Sequence, residues 1–351
     1  MPAPEREMTA TAAAAERSAE ARRIVDLIFR LREFGIVAVI ALLVIVTASI
    51  QPRFLHLSNI QFILVDTTIF ALLAVGETMV VLTRNVDLSI GSVLGLSAFL
   101  SADVFQTHPG TPIPVAFLTG LAIGVACGAA IGIVTVVGQV PSLVVTLAAL
   151  YMIRGIDVLI VGGGQVVASS LPNGFIEIPK KTAVGIPVLA IVVAVIVGIA
   201  AYYLRSFRSG RELYAIGSNP DAARLAGLPS GRRVFTAFVV SGACAGIAGV
   251  LYAARYGTID SNVGSGYELQ VIAAVVVGGV AIFGGSGSVV GAALGALLLN
   301  AILTALYVLG VSPFWNQAIA GGLLLAAIAL DRGISLRLAA ILQKKKAHLG
   351  A

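Results

Sequence analysis

Residues Pro112 to Val137 read PIPVAFLTGLAIGVACGAAIGIVTVV, a run without a single Asp, Glu, Lys or Arg. As a helix rising about 1.5 Å per residue, it outreaches the ~30 Å hydrocarbon layer of a bilayer. Backbone amides inside that layer are satisfied only by a helix or a closed barrel. Within the run, Gly120, Gly124, Gly128 and Gly132 recur every fourth residue, which leaves one helix face without side chains. Such a stripe lets a second helix backbone come close. Gly242 and Gly246, and then Gly287, Gly291 and Gly295, repeat the spacing. All three ladders read as tight packing, within one bundle or between two copies.

Working outward, the whole chain has the same character. Of its 351 residues 58% are hydrophobic and 11% charged, and mean hydropathy is +1.00. A soluble chain cannot hide that much apolar surface. Apolar segments fall near 34–50, 60–83, 88–106, 112–137, 141–161, 183–204, 233–254, 267–283, 287–309 and 313–330. The expected fold class is therefore all-α, a polytopic membrane protein of about ten transmembrane helices. Residues 1–33 read as an N-terminal tail rather than a secretory signal. Residues 34–330 form the membrane domain, with a cytoplasmic loop at 205–233, and 331–351 a basic C-terminal tail. With both termini placed in the cytoplasm, eighteen Lys and Arg lie inside and four outside (Arg53, Lys180, Lys181, Arg255). That asymmetry obeys the positive-inside rule. The net charge of +6 thus follows the membrane and gives no reason to expect a nucleic-acid partner.

Several chemistries are absent. Cys127 and Cys244 each sit in an apolar run, and His56, His108 and His348 are scattered, so no metal or disulfide spacing exists. There is no G-x-x-x-x-G-K-[ST] phosphate cradle and no H-E-x-x-H. Gly285 to Gly291 (GSGSVVG) misses the dinucleotide fingerprint by one residue. No catalytic constellation and no cofactor of this chain's own are expected.

The intramembrane polar residues are few. Asp66 and Glu77 share the second span, eleven residues or about three turns apart on one face. They are the residues on which an ion-coupled secondary transporter would run. Arg154 and Asp157, at i and i+3 in the fifth span, can neutralise each other. Polar residues gather in two further places. In Thr83–Ser92 (TRNVDLSIGS), Asn85, Asp87 and Ser89 line a cavity or, for Asp87 and Ser89, cap the third helix. In Asn219–Gly227 (NPDAARLAG), Asn219 is an N-cap, Pro220 a first-turn residue, Asp221 a partner for the helix dipole and Gly227 a terminator. Ala222, Leu225 and Ala226 give this short helix an apolar face suited to a partner's groove, or to lying on lipid as a connector.

These stretches, in order, resemble one family. TRNVDLSIGS at Thr83–Ser92, YAIGSNPDAARLAG at Tyr214–Gly227, GSGYELQVIAAVVVGG at Gly264–Gly279 with Gly284–Gly287 after it, and Phe314-Trp315-Asn316 are similar to the permeases of ribose-type ABC sugar importers. Arg84-Asn85 and Trp315-Asn316 look closer to the autoinducer-2 and rhamnose-like branch than to the ribose permease itself. The resemblance covers about residues 35–335. It implies a permease of the inner membrane, embedded in lipid and paired with a second copy or a paralogue. It also implies cytoplasmic ATPase subunits that carry ATP and Mg, and an extracytoplasmic binding protein that delivers a monosaccharide or related polyol. By the same resemblance Gly217, Asn219, Asp221, Ala222, Ala223, Arg224, Leu225 and Gly227 form the helix that couples to the ATPase. Asn85, Asp87, Ser89, Glu268, Trp315 and Asn316 are expected along the translocation pathway.

Overall fold

Each apolar run contains a helix in the computed structural model, which describes residues 34–312, 314–315 and 317–329. In chain order these are α1 (Phe34–Ile50), α2 (Leu57–Leu82), α3 (Ile90–Thr107), α4 (Ile113–Val136) and α5 (Ser142–Val161). A short α6 (Asn173–Ile176) and a two-residue hairpin, β1 (Thr182–Ala183) with β2 (Ile186–Pro187), precede α7 (Val188–Ser206). There follow α8 (Arg208–Ser218), α9 (Pro220–Leu225), α10 (Ser230–Tyr256), α11 (Tyr267–Val277) and α12 (Val289–Val308), then α13 (Gln317–Ala329). Among the described residues seven helices, α2 to α5, α7, α10 and α12, are long and apolar enough to cross a membrane.

Beside these seven, three further apolar helices expected among the about ten spans, α1, α11 and α13, are shorter. α1 begins and α13 ends at the edge of the described residues. α11 has eleven residues, about 16 Å of helix, half of what a bilayer needs. It stops at Val277 rather than near 283, because Gly278, Gly279, Gly284, Gly285 and Gly287 follow, four of them at positive φ. The 205–233 stretch holds α8 in addition to the short helix expected within Asn219–Gly227.

α10 is the axis of the bundle, with α4, α3 and α2 packed around it. The glycine ladders explain why. A side chain on Gly124 would stand 2.9 Å from the Cα of Gly246, and one on Gly246 3.1 Å from the Cα of Gly124. Each would also land on a backbone carbonyl of the facing helix, Gly242 O and Gly120 O respectively, so this helix pair closes only because each stripe is bare. Gly291 and Gly295 lie in the same way against Gly278 and Ala274. All three ladders pack helices within one chain. α2 is the innermost helix, with 83% of its apolar stretch buried, whereas α4, α5 and α7 bury only 28%, 33% and 28% and present apolar faces outward.

Candidate functional site

α9 forms for the reasons its sequence carries. The Asn219 side-chain oxygen accepts from Ala222 N at 3.0 Å, Pro220 occupies the first turn, and Gly227 leaves the helix at φ 72°. Asp221 and Arg224 pair on the exposed surface at 3.4 Å. Leu225 is 91% exposed while Ala223 is buried. The outward surface is therefore Ala222, Arg224, Leu225 and Ala226, and Ala223 packs inward.

Gly217 lies one element earlier, in α8, and its part is internal. It sits directly against the Leu82 carbonyl, and an added Cβ would lie 2.5 Å from Gly285 N. Around it three of the four sequence motifs converge. Gly285 N donates to Leu82 O at 3.0 Å. The Arg84 guanidinium donates to Ser218 O, the last carbonyl of α8, at 3.2 Å. Arg84 has φ 64°, a left-handed backbone that puts its side chain over the end of α8. Burial pushes the Tyr214 phenol up to about 12, so it stays protonated and donates to Gly287 O at 3.1 Å.

Above this joint the chain folds back into the bundle. Asp87 N donates to Glu77 Oε1 at 3.1 Å, ten residues back along α2, so the 83–89 turn climbs beside α2 and α3 starts inside the protein. Asp87 Oδ1 accepts from Ser89 N at 3.0 Å and from the Ser89 hydroxyl at 2.5 Å. Asp87 Oδ2 accepts from the Ser241 hydroxyl of α10 at 2.9 Å. Ser89 occupies the N-cap position of α3 but makes no side-chain cap, because its hydroxyl is spent on Asp87. Asp87, Ser89 and Glu77 are fully buried. Asn85 is half-buried and lines an open cleft of about 350 Å³ with Gln139, Ser142 and Ser230. The Glu268 carboxylate reaches the first turn of α3, where a Cβ on Gly91 would come within 2.5 Å of it. A carboxylate there is favoured by the helix dipole.

Asp87→Ala strands three buried donors and is expected to lower stability by about 2–4 kcal/mol. Asp87→Asn keeps an oxygen for Ser89 and is expected to cost about half as much. Thermal melts of the detergent-solubilised variants decide the matter, and an unshifted melt for Asp87→Ala would remove this node from the account of stability.

The remaining sequence candidates are placed apart. Asp66 Oδ1 accepts from Arg255 Nε at 2.9 Å, and the same guanidinium lies 4.7 Å over the Phe62 ring. Arg154 stands 3.8 Å from Asp157, but its closest bonds are to the carbonyls of Ser261 (2.9 Å) and Val263 (2.6 Å), which fix the loop ahead of α11. Trp315 is exposed. Asn316 falls outside the described residues. Asp66 and Glu77, read from the sequence as one ion-coupling face, thus have separate protein partners.

Sequence reasoning missed one further cluster. Glu212 of α8 accepts from Arg208 Nε at 2.9 Å and from Arg233 Nε of α10 at 2.6 Å. The Arg233 bond, with Arg208 beside it, holds the Glu212 carboxyl below the ordinary glutamate range. The i, i+4 spacing of Arg208 and Glu212 was a readable signal, whereas Arg233 required the fold.

Residues 59–328 match the family model described as the permease component of branched-chain amino acid transport systems. The chain belongs to this permease family. Curated relatives agree over nearly the full length of the permease. The autoinducer 2 import system permease protein LsrC of Enterobacter sp. (strain 638) is 36% identical over 300 residues, 86% of each chain. LsrC of Salmonella typhimurium (strain LT2) is 33% identical over 315 residues, 90% of each. The ribose import permease protein RbsC of Escherichia coli (strain K12) is 32% identical over 314 residues, 88% of the permease and 96% of the relative. No solved structure matches. The resemblance to ribose-type ABC importer permeases is borne out, and all four motifs lie inside the matched region. The permease is an all-α, multi-pass protein of the inner membrane.

Proposed function

We propose that this chain is the transmembrane subunit of an ATP-driven importer that moves a monosaccharide or related polyol delivered by an extracytoplasmic binding protein. The observation that carries the reading is α9, a capped helix whose apolar residue Leu225 is 91% exposed on a stretch rich in arginine. A buried groove on a cytoplasmic ATPase accounts for such a surface. ATP and Mg belong to that partner, and this chain supplies the path and the moving body. The coupling residues are Asn219, Asp221, Ala222, Arg224, Leu225 and Gly227, with Gly217 and Ala223 seating them. Asn85, Asp87, Ser89, Glu268, Trp315 and Asn316 organise the pathway.

The topology proposed with this function has ten membrane segments and both termini in the cytoplasm, supported by the eighteen-to-four division of basic residues. It keeps the divisions at 33 and 330, with a second permease copy or paralogue against the outward apolar faces of α4, α5 and α7. A neutral cargo suits a membrane interior whose carboxylates Asp66 and Asp157 each stand beside an arginine. Relatives named for ribose and autoinducer 2 import point to the same class.

Mild-detergent affinity purification of the tagged chain from its native membrane, followed by mass spectrometry, tests this. An ABC ATPase in stoichiometric amount is the expected companion. A chain recovered alone, and active in proteoliposomes under an ion gradient, would overturn the proposal.

A further inference from the structure

α9 is carried between two residues that hold each other. Glu212 precedes it on α8 and Arg233 follows it at the start of α10, and Arg233 Nε donates to Glu212 Oε2 at 2.6 Å. The Glu212 side chain is 7% exposed and that of Arg233 20%, whereas Arg208, on the other carboxylate oxygen, is 83% exposed. Water and salt weaken an exposed pair far more than a sheltered one, so the Arg233 contact is the one that matters mechanically.

The position of this pair gives it a task. The N-terminal side of α9 is seated on the bundle, through Arg84 on Ser218, Tyr214 on Gly287 and Gly217 against Leu82. The C-terminal side runs through Leu228 and Pro229 into α10. Without a cross-connection, a push on α9 would be taken up by bending at Leu228–Pro229. With it, α8 and the first turn of α10 move together. Eight residues on, about 12 Å along α10, Ser241 donates to Asp87 at 2.9 Å. A continuous path of bonded groups then runs from α9 through Glu212, Arg233 and α10 to the buried 83–89 turn.

We propose that Glu212 and Arg233 are positioning residues that lock α8 to α10, so that displacement of α9 by the ATPase is delivered to the Ser241–Asp87 contact and the pathway turn. The proposal rests on the docking role of α9 and deepens it.

Hydrogen exchange on the assembled permease–ATPase complex, with and without ATP plus orthovanadate, reads this without knowledge of the cargo. In the wild type, nucleotide is expected to change protection both in α9 and in residues 87–90, a stretch that excludes Arg84 and its direct bond to α8. In Glu212→Gln and Arg233→Ala the change in α9 persists, while that at 87–90 shrinks about fivefold or more. Arg233→Lys, which keeps the charge, retains at least about half of it. An undiminished response at 87–90 in Glu212→Gln, or in Arg233→Ala should the former not accumulate, overturns the proposal. An equal loss in Arg233→Lys and Arg233→Ala does the same. Loss of the α9 response in the wild-type complex, or failure to recover any ATPase, would instead sink the docking role itself, and the lock with it.

Discussion

Replacing both Ala222 and Leu225 by aspartate is expected to strip the ATPase from the purified permease while leaving the membrane bundle folded. Leu225 is 91% exposed and Ala222 is exposed beside it, so neither side chain contributes to this chain's own core. Surface replacements of that kind usually shift stability by no more than about 0.5 kcal/mol. At an interface the balance differs. Burying a leucine is worth about 2 kcal/mol, and an unpaired carboxylate forced into the same groove costs several more. The combined loss weakens docking by about a hundredfold or more. Co-purification of the ATPase, read beside the thermal melt of the variant, measures both parts. Wild-type recovery of the ATPase would mean that α9 is not the docking surface. The replacements must avoid Ala223, which is buried, because a variant there would unfold α9 and mimic the result.

The largest effect on folding is expected at Gly217. Any Cβ there would land on the Leu82 carbonyl and within 2.5 Å of Gly285 N. These are two backbone groups already bonded to each other at 3.0 Å. Neither can retreat as a flexible side chain would, so Gly217→Val must break that bond and part α2 from the 284–287 turn. The expected cost is above about 4 kcal/mol, enough to abolish accumulation of a marginally stable protein. Gly155→Val in α5 is the control, because nothing lies within 4 Å of a Cβ at that position. Comparable membrane yield and melting for the two variants would refute the account of the joint.

Much of this architecture was legible because the membrane imposes its own grammar. Apolar runs in a bilayer must be helical, and among the described residues each of the ten segments contains a helix, seven of them long enough to cross, while α9 was readable from Asn219, Pro220 and Gly227. Where reading stopped, a tertiary partner decided the outcome. Residues 267–283 are apolar enough for a full span, but α11 breaks at Gly278, where Gly291 and Ala292 press against it. Asp87 and Ser89 carried two local meanings, lining a cavity or capping α3, and the structure shows no side-chain cap because Ser89 bonds Asp87, whose other oxygen is taken by Ser241, 154 positions away. Asp66 looked unpaired until Arg255, expected in an outer loop, came back over it. Ion pairs between distant segments leave no periodicity to read.

The brevity of α11 also bears on how the chain is made. During synthesis each long apolar helix can leave the insertion channel for lipid on its own, since it satisfies its backbone and spans the layer. Eleven residues followed by a glycine-rich, non-helical stretch cannot, because about 16 Å of helix leaves the rest of the layer to be crossed by chain that is not helical. α11 and its following turn must therefore wait at the channel or the surface until α12 has emerged to cover them. α12 in turn needs α2, finished some two hundred residues earlier, as its bed. Insertion of the last quarter of the protein is thus a folding step rather than a partitioning step. A ribosome that pauses after α11 leaves behind a chain that the membrane cannot yet accept.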